Sequence, residues 1–329
     1  MEGTRGMILQ EVAIREIDVE CEDFRISEEL APTRLVDSLR VIGQLNPVIL
    51  LQRDSRLVTI CGFRRIHILR QLGNPVVVAR ILTEADGLDW HPLELALRDN
   101  LAHRELGPLE QARAVVKLQK FCDIPQDRIL REYFPLLGLP RQESVLSGCA
   151  ALDAAQPSLC RLLAEGVLTF SSALRLARLS PEEQDRFAEP MNSMRLSASS
   201  QKKMLELLDD IMGMNGTTFT EPLCLPEARE LLQDTKLTPF QRGEKLYGVL
   251  YRLRYPRLVE ALARFDTQRQ QLKLPGEIHL SPHPYFETAD MRIDFSAATL
   301  GKFQEFADEL QKAAHSPAME ELFRISADC

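Results

Sequence analysis

Three short stretches within the first 105 residues carry side chains that could bind an anion or a metal ion. Residues 43–47 form a glycine- and proline-containing turn that leads directly into the apolar run 48–51. Gly62 ends the next apolar run, and Arg64 and Arg65 follow in the predicted first turn of a helix. Glycine lets the backbone approach an anion closely, and a helix start presents free N–H groups and a positive dipole end. The second stretch therefore predicts phosphate binding.

The third stretch, residues 98–105, places a carboxylate, an amide, an imidazole and a guanidinium within two helical turns. Asp99 and Asn100 offer the hard oxygen ligands that magnesium prefers when it is bound to phosphates. His103 and Arg104 follow within the next turn. Taken with the second stretch, this pattern predicts a site for an anionic ligand and its cation.

The elements that must position these stretches alternate between strand and helix. Strand-like runs cover residues 12–17, 48–51, 57–60 and 76–82, and helical patterns cover 30–42 and 64–72. The runs 48–51 and 57–60 flank a polar stretch and predict a hairpin with a short loop over 52–56. Small strands interleaved with helices predict a mixed α/β domain over residues 1–122.

From Pro92 onward the pattern is helical, with helices predicted over 92–102 and 108–121, each opening on proline. Residues 123–215 are expected to form a second, all-helical domain. Within it, a helix over 128–137, a turn over 138–140 and a helix over 141–152 have helix-turn-helix proportions. The candidate DNA-reading residues of the second helix, those predicted to face outward or flank that face, are Arg141, Gln142, Ser144 and Ser147.

A structural role for this helical region is the alternative. Residues 125–180 carry six arginines against five acids, a net charge of +1, and a domain that follows phosphates is expected to be more basic. Buried positions are predicted at Val145, Cys149 and Leu152 in either case. Both readings remain open from the sequence.

Residues 216–329 are predicted as a small C-terminal α/β region that dimerises or binds a partner. The pattern gives a helix over 243–269, strands over 278–280 and 292–295, and a helix over 300–314. The last helix carries an apolar face that suits either a core or a dimer seam. Its members are Phe303, Phe306, Leu310 and Ala314.

Composition limits the class of protein. The chain has 329 residues, 45% of them apolar and 27% charged, as in a soluble globular protein. Its apolar runs fall far short of the roughly 20 residues that span a bilayer, and its N-terminus lacks the apolar core of a signal peptide. Seven cysteines without a C-x-x-C pair suit a reducing compartment. We expect a cytoplasmic protein with no membrane contact.

The net charge of −8 is unevenly distributed. Residues 1–30 hold nine acids against three arginines, a net charge of −6, whereas residues 31–80 hold eight arginines against two acids, a net charge of +6. Arginine without lysine suits bidentate phosphate recognition, although a solvated basic face is the simpler alternative.

In their order and separation, the three stretches resemble motifs of the ParB family of chromosome and plasmid partition proteins. The family pattern has a Gly-x-x-Gln-Pro turn, then Gly-Glu-Arg-Arg opening a helix, then Glu-Asn-x-x-Arg running into a Pro-x-Glu-x-Ala helix. The resemblance covers residues 10–125 well and continues less specifically to about residue 190. The matching residues are Gly43, Asn46 and Pro47; Gly62, Phe63, Arg64 and Arg65; Asp99, Asn100, His103 and Arg104; and Pro108, Glu110 and Ala112.

The resemblance implies a ParB/sulfiredoxin-like N-terminal fold whose pocket binds CTP with magnesium. It also implies a homodimer that closes as a clamp around DNA, for chromosome partition or regulation. The residues it assigns are Gly62, Arg64 and Arg65 to the phosphates, Asp99 and Asn100 to the metal, and Asn46 and Pro47 to the base or ribose side, with Arg104 bracing the third motif.

Two departures bear on catalysis. Phe63 stands where the family has glutamate. Because a phenyl ring can neither coordinate a cation nor orient a water molecule, we do not expect CTP hydrolysis. Asp99 replaces a glutamate and keeps its charge. The fold is shared with sulfiredoxins, but Cys61 precedes the glycine instead of following it, so we expect a buried thiol and no nucleophile.

Two other functions remain open from the sequence. One is a ParB-fold enzyme, a nucleotide-dependent kinase or a nuclease, with His67, His103 or Glu105 as its base. The other is a degenerate protein-interaction adaptor that uses the helical and C-terminal parts.

Overall fold

The computed structural model describes residues 9–83, 91–122, 124–288 and 290–327. The chain folds as two compact units, Met1–Gln201 and Lys202–Cys329. The predicted boundary at residue 122 lies inside the first unit, and the predicted boundary at residue 215 lies inside the second. The three-part division of the chain therefore stays a prediction.

The first unit is built on a five-stranded mixed sheet. The strands are β1 (Leu9–Ala13), β2 (Ile17–Asp18), β3 (Val48–Arg53), β4 (Arg56–Cys61) and β5 (Val76–Thr83). They lie in the order β1-β5-β3-β4-β2. The central strand β3 pairs in parallel with β5 and antiparallel with β4. At the two edges, β1 pairs antiparallel with β5, and β2 pairs in parallel with β4.

Two helices, α1 (Thr33–Ile42) and α2 (Phe63–Gln71), contribute to the core of this sheet. Val48, Leu50 and Ala79 of the strands and Ile68 of α2 are fully buried in one apolar cluster. The β-branched strand runs and the helical apolar stripe therefore meet in one core, and the predicted mixed α/β fold is confirmed.

Several predicted bounds shift for local reasons. The hairpin between β3 and β4 turns over Asp54 and Ser55 alone, so its loop is shorter than the predicted 52–56. Helix α1 begins at Thr33 and not at residue 30, because Pro32 precedes it with an extended backbone. The predicted strand over 12–17 is interrupted, since residues 14–16 form a helical turn between β1 and β2.

The rest of the first unit is helical, as predicted. A π-helical stretch, Ile129–Tyr133, joins two short segments into one helix, so Pro135 does not break it. The helices are α3 (Pro92–His103), α4 (Pro108–Phe121), α5 (Gln126–Arg128), α6 (Phe134–Leu136), α7 (Glu143–Asp153), α8 (Pro157–Ala164), α9 (Phe170–Leu176) and α10 (Pro181–Met191).

The second unit packs helices with one β-hairpin, which confirms its α/β class. Its elements are α11 (Ala198–Asn215, which begins in the first unit), α12 (Pro226–Gln233), α13 (Pro239–Arg254), α14 (Pro256–Gln271), β6 (His279–Pro282), β7 (Met291–Asp294), α15 (Leu300–Ala314) and α16 (Pro317–Ala327).

Two predictions for this unit were wrong. The helix expected over 243–269 is two helices, because Tyr255 leaves the helical backbone and Pro256 opens α14. The glycine-containing run over residues 213–218 predicts a helix break at Gly213. Helix α11 nevertheless continues through Gly213 to Asn215, because a single glycine costs a helix only about 1 kcal/mol.

None of the helices within the described ranges is both long enough and apolar enough to cross a membrane.

Candidate functional site

Gly62 sits at the junction of β4 and α2 in a conformation that other residues rarely adopt. Its φ angle is 104°, in the left-handed region. A Cβ atom added there would lie 2.6 Å from Cγ1 of Val48 on the adjacent strand. The close approach of the two backbones and the positive φ both require glycine, and they fix where α2 begins.

The first three residues of α2 point to three different neighbourhoods, since successive helical residues are about 100° apart. Phe63 lines a cavity of about 230 Å³ with Ile66, His67 and residues of the segment 19–30. Arg64 contacts Glu110, and Arg65 reaches the turn before β3. The aromatic side chain that stands where the motif has glutamate therefore lines a cavity whose wall includes neither Arg64 nor Arg65.

Arg65 holds the turn before β3 in place. Its Nη1 donates to the backbone oxygens of Asn46 at 2.8 Å and Pro47 at 2.7 Å. Burial lowers the pKa of Arg65, and the nearby carboxylate of Asp99 opposes that shift. Helix α3, which carries Asp99, also packs against β4, the strand that leads into α2. The second and third stretches therefore lie near each other.

The thiol of Cys61 completes this first cluster. Burial raises its pKa well above the ordinary range, and the nearby carboxylate of Asp99 adds to the shift. A protonated thiol is a weak nucleophile. The expectation that Cys61 is a small buried residue agrees with its 2% exposure.

Glu110 forms the centre of a second cluster. Its Oε1 accepts from Nη2 of Arg64 at 3.4 Å and from Nη2 of Arg104 at 3.0 Å, and its Oε2 accepts from Nη1 of Arg104. The backbone N–H groups of Glu28 and Gly107 donate to the same carboxylate, each at 3.1 Å. One buried carboxylate thus neutralises part of the charge of two guanidinium groups.

Arg104 also connects this cluster to α3 and to the segment before α1. Its Nη2 donates to Oδ1 of Asn100 at 3.0 Å and to Oγ of Ser27 at 3.1 Å. Burial acts to raise the pKa of Glu110, but the hydrogen bonds from Arg104, Glu28 and Gly107 outweigh it, and the pKa is lowered. Glu110 is therefore held as an anion.

The structure brings the predicted nucleotide-site residues together but gives several of them other partners. Asn46 and Pro47 contribute backbone carbonyls to Arg65, a role not predicted for them. Arg104 does more than brace its own motif, because it joins Asn100 to Glu110. That these residues hold a ligand stays a prediction.

The two predicted magnesium ligands face different neighbours. Asn100 Oδ1 accepts from Arg104, whereas Asp99 Oδ1 lies 3.6 Å from Nε2 of the exposed His103. In the described part of the chain, no group of three histidine, cysteine or acidic side chains could hold a metal ion. The residues therefore fit a magnesium ion whose ligands are mainly phosphate oxygens and water, with Asp99 as a protein ligand.

Two site residues had been missed. The side-chain amide of Gln44 joins the turn before β3 to strand β5. Its Nε2 donates to the backbone oxygen of Val78 at 2.7 Å, and its Oε1 accepts from the backbone N–H of Val78 at 2.8 Å. Glu110 had been noted only as part of a helix-start pattern, and it does cap α4 through Gly107. The capping pattern is visible in the sequence, but the contact of Glu110 with Arg64 is not, because 46 residues separate them.

The candidate DNA-reading residues lie at the exposed start of α7. Val145, Cys149 and Leu152 are buried as predicted, and Arg141, Gln142, Ser144 and Ser147 are exposed. Arg141 and Gln142 precede the helix and do not form its first turn, which is a correction, since extended Gln142 is the cap of a helix that begins at Glu143. Their role in DNA binding stays a prediction.

Arg178, which follows α9, is the residue that sequence reasoning missed at this surface. Its Nη2 donates to the backbone oxygen of Ser144 at 2.9 Å and to Oγ of Ser147 at 2.8 Å. It thereby brings a guanidinium to the exposed face of α7. A groove of about 480 Å³ runs beside it, lined by Gln119, Gln126, Glu143, Ser144, Leu146, Ser147, Ala150 and Arg178.

Comparison with known proteins gives relatives of one kind, although no family model matches the chain. Over 247 residues it is 24% identical to the probable chromosome-partitioning protein ParB of Mycobacterium leprae, covering 70% of this chain and 72% of that protein. Over 240 residues it is 25% identical to the chromosome-partitioning protein Spo0J of Thermus thermophilus, covering 70% and 84%. The resemblance to ParB proteins inferred from the three stretches is confirmed.

Two crystal structures of the C-terminally truncated ParB of Caulobacter crescentus are also similar. One, a complex with CTP-γ-S, is 22% identical with a TM-score of 0.23, and covers 56% of this chain and 98% of its own. The other, a complex with the centromeric parS site, is 18% identical with a TM-score of 0.32, and covers 58% and 96%.

Proposed function

We propose that this relative of the ParB proteins is a partition or regulatory protein whose first unit binds a nucleotide and DNA. The observation that carries the proposal is the convergence of the three motif stretches. Arg65, Asp99 and the turn at residues 46–47 form one cluster, and Arg64, Asn100 and Arg104 form a second cluster around Glu110. Asp99 and Asn100, adjacent on α3, join the two.

In this proposal the ligand phosphates lie at the start of α2. Gly62 lets the backbone approach them, and the guanidinium groups of Arg64 and Arg104 bind their oxygens. Asp99 carries the negative charge needed beside a magnesium ion that enters with the phosphates. The motif resemblance names CTP as the nucleotide to test.

Calorimetry of the full chain with CTP, with and without magnesium, tests the proposal. We expect binding that magnesium strengthens, and no binding of CTP or another nucleotide at millimolar concentration would overturn it.

We predict that Arg64→Met weakens CTP binding about tenfold or more, because a charge-assisted hydrogen bond contributes about 1.5–3 kcal/mol. Arg70→Met is the matched control, since Arg70 lies on the same helix but lines the cavity beside Phe63. Calorimetric affinities of both variants check this prediction. Equal losses in the two would show that only the overall charge matters.

We propose that DNA binds along α7, on the exposed face that carries Ser144 and Ser147 and that the side chain of Arg178 contacts. We predict that Arg178→Ala weakens binding to duplex DNA severalfold and lowers the slope of log affinity against log salt by about one, as the loss of one phosphate contact would. Arg161→Ala, an exposed arginine on α8, serves as the control. Fluorescence anisotropy over a salt series measures both. An unchanged slope in Arg178→Ala would exclude the contact.

We propose that the second unit mediates a homodimer. Helices α15 and α16 and strand β7 leave an apolar groove of about 610 Å³, in which Ile293 and Phe323 remain 44% and 49% exposed. The predicted apolar face of α15 is only partly covered: Phe306 is buried, while Phe303 and Ala314 are exposed.

We predict that Phe323→Glu gives a monomer in analytical ultracentrifugation. If Phe323→Glu remained a dimer, the interface would have to lie on another surface of the chain.

A further inference from the structure

We propose that Glu110 is an internal competitor for the phosphate-binding arginines, which a bound polyphosphate must displace. This inference rests on the proposed nucleotide site and concerns how that site opens. A guanidinium fork that is already bound by a carboxylate is not free to bind a phosphate, because both anions use the same N–H groups.

The contacts of Glu110 support direct competition. Its two oxygens accept from three guanidinium N–H donors and two backbone N–H groups, and its side chain is only 7% exposed. Arg64 and Arg104 each keep about a fifth of their side-chain surface exposed, so a ligand can reach them without unfolding the unit. Two positive charges against one negative charge leave the cluster with a net attraction for a second, more strongly charged anion.

Displacement of Glu110 would also release the segment 27–29 that precedes α1. Arg104 holds the hydroxyl of Ser27, the N–H of Glu28 donates to Glu110, and Arg64 donates to the backbone oxygen of Glu29 at 2.8 Å. The same cluster therefore fastens this segment to α2 and α4. The amide of Glu28 should lose its protection from hydrogen exchange when the ligand takes its place.

The variant Glu110→Gln separates the charge from the helix cap. Glutamine can still accept from Gly107 and suits this position of a capping box, but it does not compete as an anion. Glu110→Asp keeps the charge and shortens the reach to the two arginines. We expect inorganic tripolyphosphate to bind the full-length Glu110→Gln chain at least tenfold more tightly than the wild type, with Glu110→Asp in between.

Calorimetry with tripolyphosphate and with CTP, together with hydrogen exchange at Glu28, decides between the outcomes. A folded Glu110→Gln that binds tripolyphosphate no more tightly than the wild type would overturn the competition. If Glu110→Gln does not fold, Glu110→Asp is the deciding variant. Tripolyphosphate binding by Glu110→Asp that is equal to or weaker than that of the wild type would likewise overturn the competition. Tighter tripolyphosphate binding without any CTP binding would support the competition and refute the proposed nucleotide. The absence of binding to every variant would overturn both.

Discussion

Replacing Gly62 with alanine is expected to lower the free energy of unfolding of the first unit by about 3 kcal/mol or more. Two costs combine: a non-glycine residue in the left-handed region costs about 1–3 kcal/mol, and an overpacked contact costs about as much again. The contact is the 2.6 Å approach to Cγ1 of Val48, a fully buried residue of the central strand that has little room to move. Urea denaturation measures the loss.

Gly73→Ala is the matched control for this prediction. Gly73 also has a positive φ, 79°, but no atom lies within 4 Å of the position its Cβ would take. Alanine there is expected to cost only the conformational part, about 1 kcal/mol. If both substitutions were equally destabilising, the close packing of α2 against β3 would have no energetic role.

Replacing Arg104 with methionine is expected to destabilise the first unit by about 3 kcal/mol, because it leaves the buried carboxylate of Glu110 with Arg64 as its remaining guanidinium partner. Adding Glu110→Gln to that variant removes the uncompensated charge, and should restore part of the loss. Arg40→Met, which breaks an exposed pair with Asp37, should cost less than about 1 kcal/mol. Urea denaturation of the single and double variants gives the coupling between Arg104 and Glu110.

The same pair predicts a dependence of stability on pH. The pKa of Glu110 is lower in the folded protein than in the unfolded chain, so folding favours its ionised form. This contribution is fully present above the unfolded pKa of about 4.3, and is lost as the pH falls through the lower folded value. Arg104→Met should move the loss to higher pH, and Glu110→Gln should remove it. Unfolding free energies measured between pH 3 and 7 check this prediction. If the loss of stability toward low pH were the same in Glu110→Gln as in the wild type, the prediction would be wrong.

Much of the fold follows from local pattern. The alternation of apolar runs and helical stripes gave the mixed α/β class, and helices over 108–121 and 300–314 have the predicted bounds. Proline positions explain most shifts, since Pro32 delays α1 and Pro256 divides the predicted 243–269 helix. These effects act over a few residues, and a sequence records them directly.

The order of the motifs also selected residues that lie near one another. Arg65 and Asp99 were chosen from residue type and spacing, and the carboxylate of Asp99 acts on the charge of Arg65 in the folded chain. Their role as a ligand site stays a prediction. Spacing on α2 further implies that residues 63, 64 and 65 face different directions, because helical periodicity alone sets those angles.

The sequence by itself determined which side chains could bind an anion and which elements carry them. Only the tertiary structure decided what each of them touches: Glu110 for Arg64 and two backbone carbonyls for Arg65. It also placed Arg178, which the sequence did not single out, against Ser144 and Ser147. The physical reason is that periodicity fixes the direction in which a side chain leaves its helix. The partner found in that direction depends on how distant elements pack, and no local pattern contains that information.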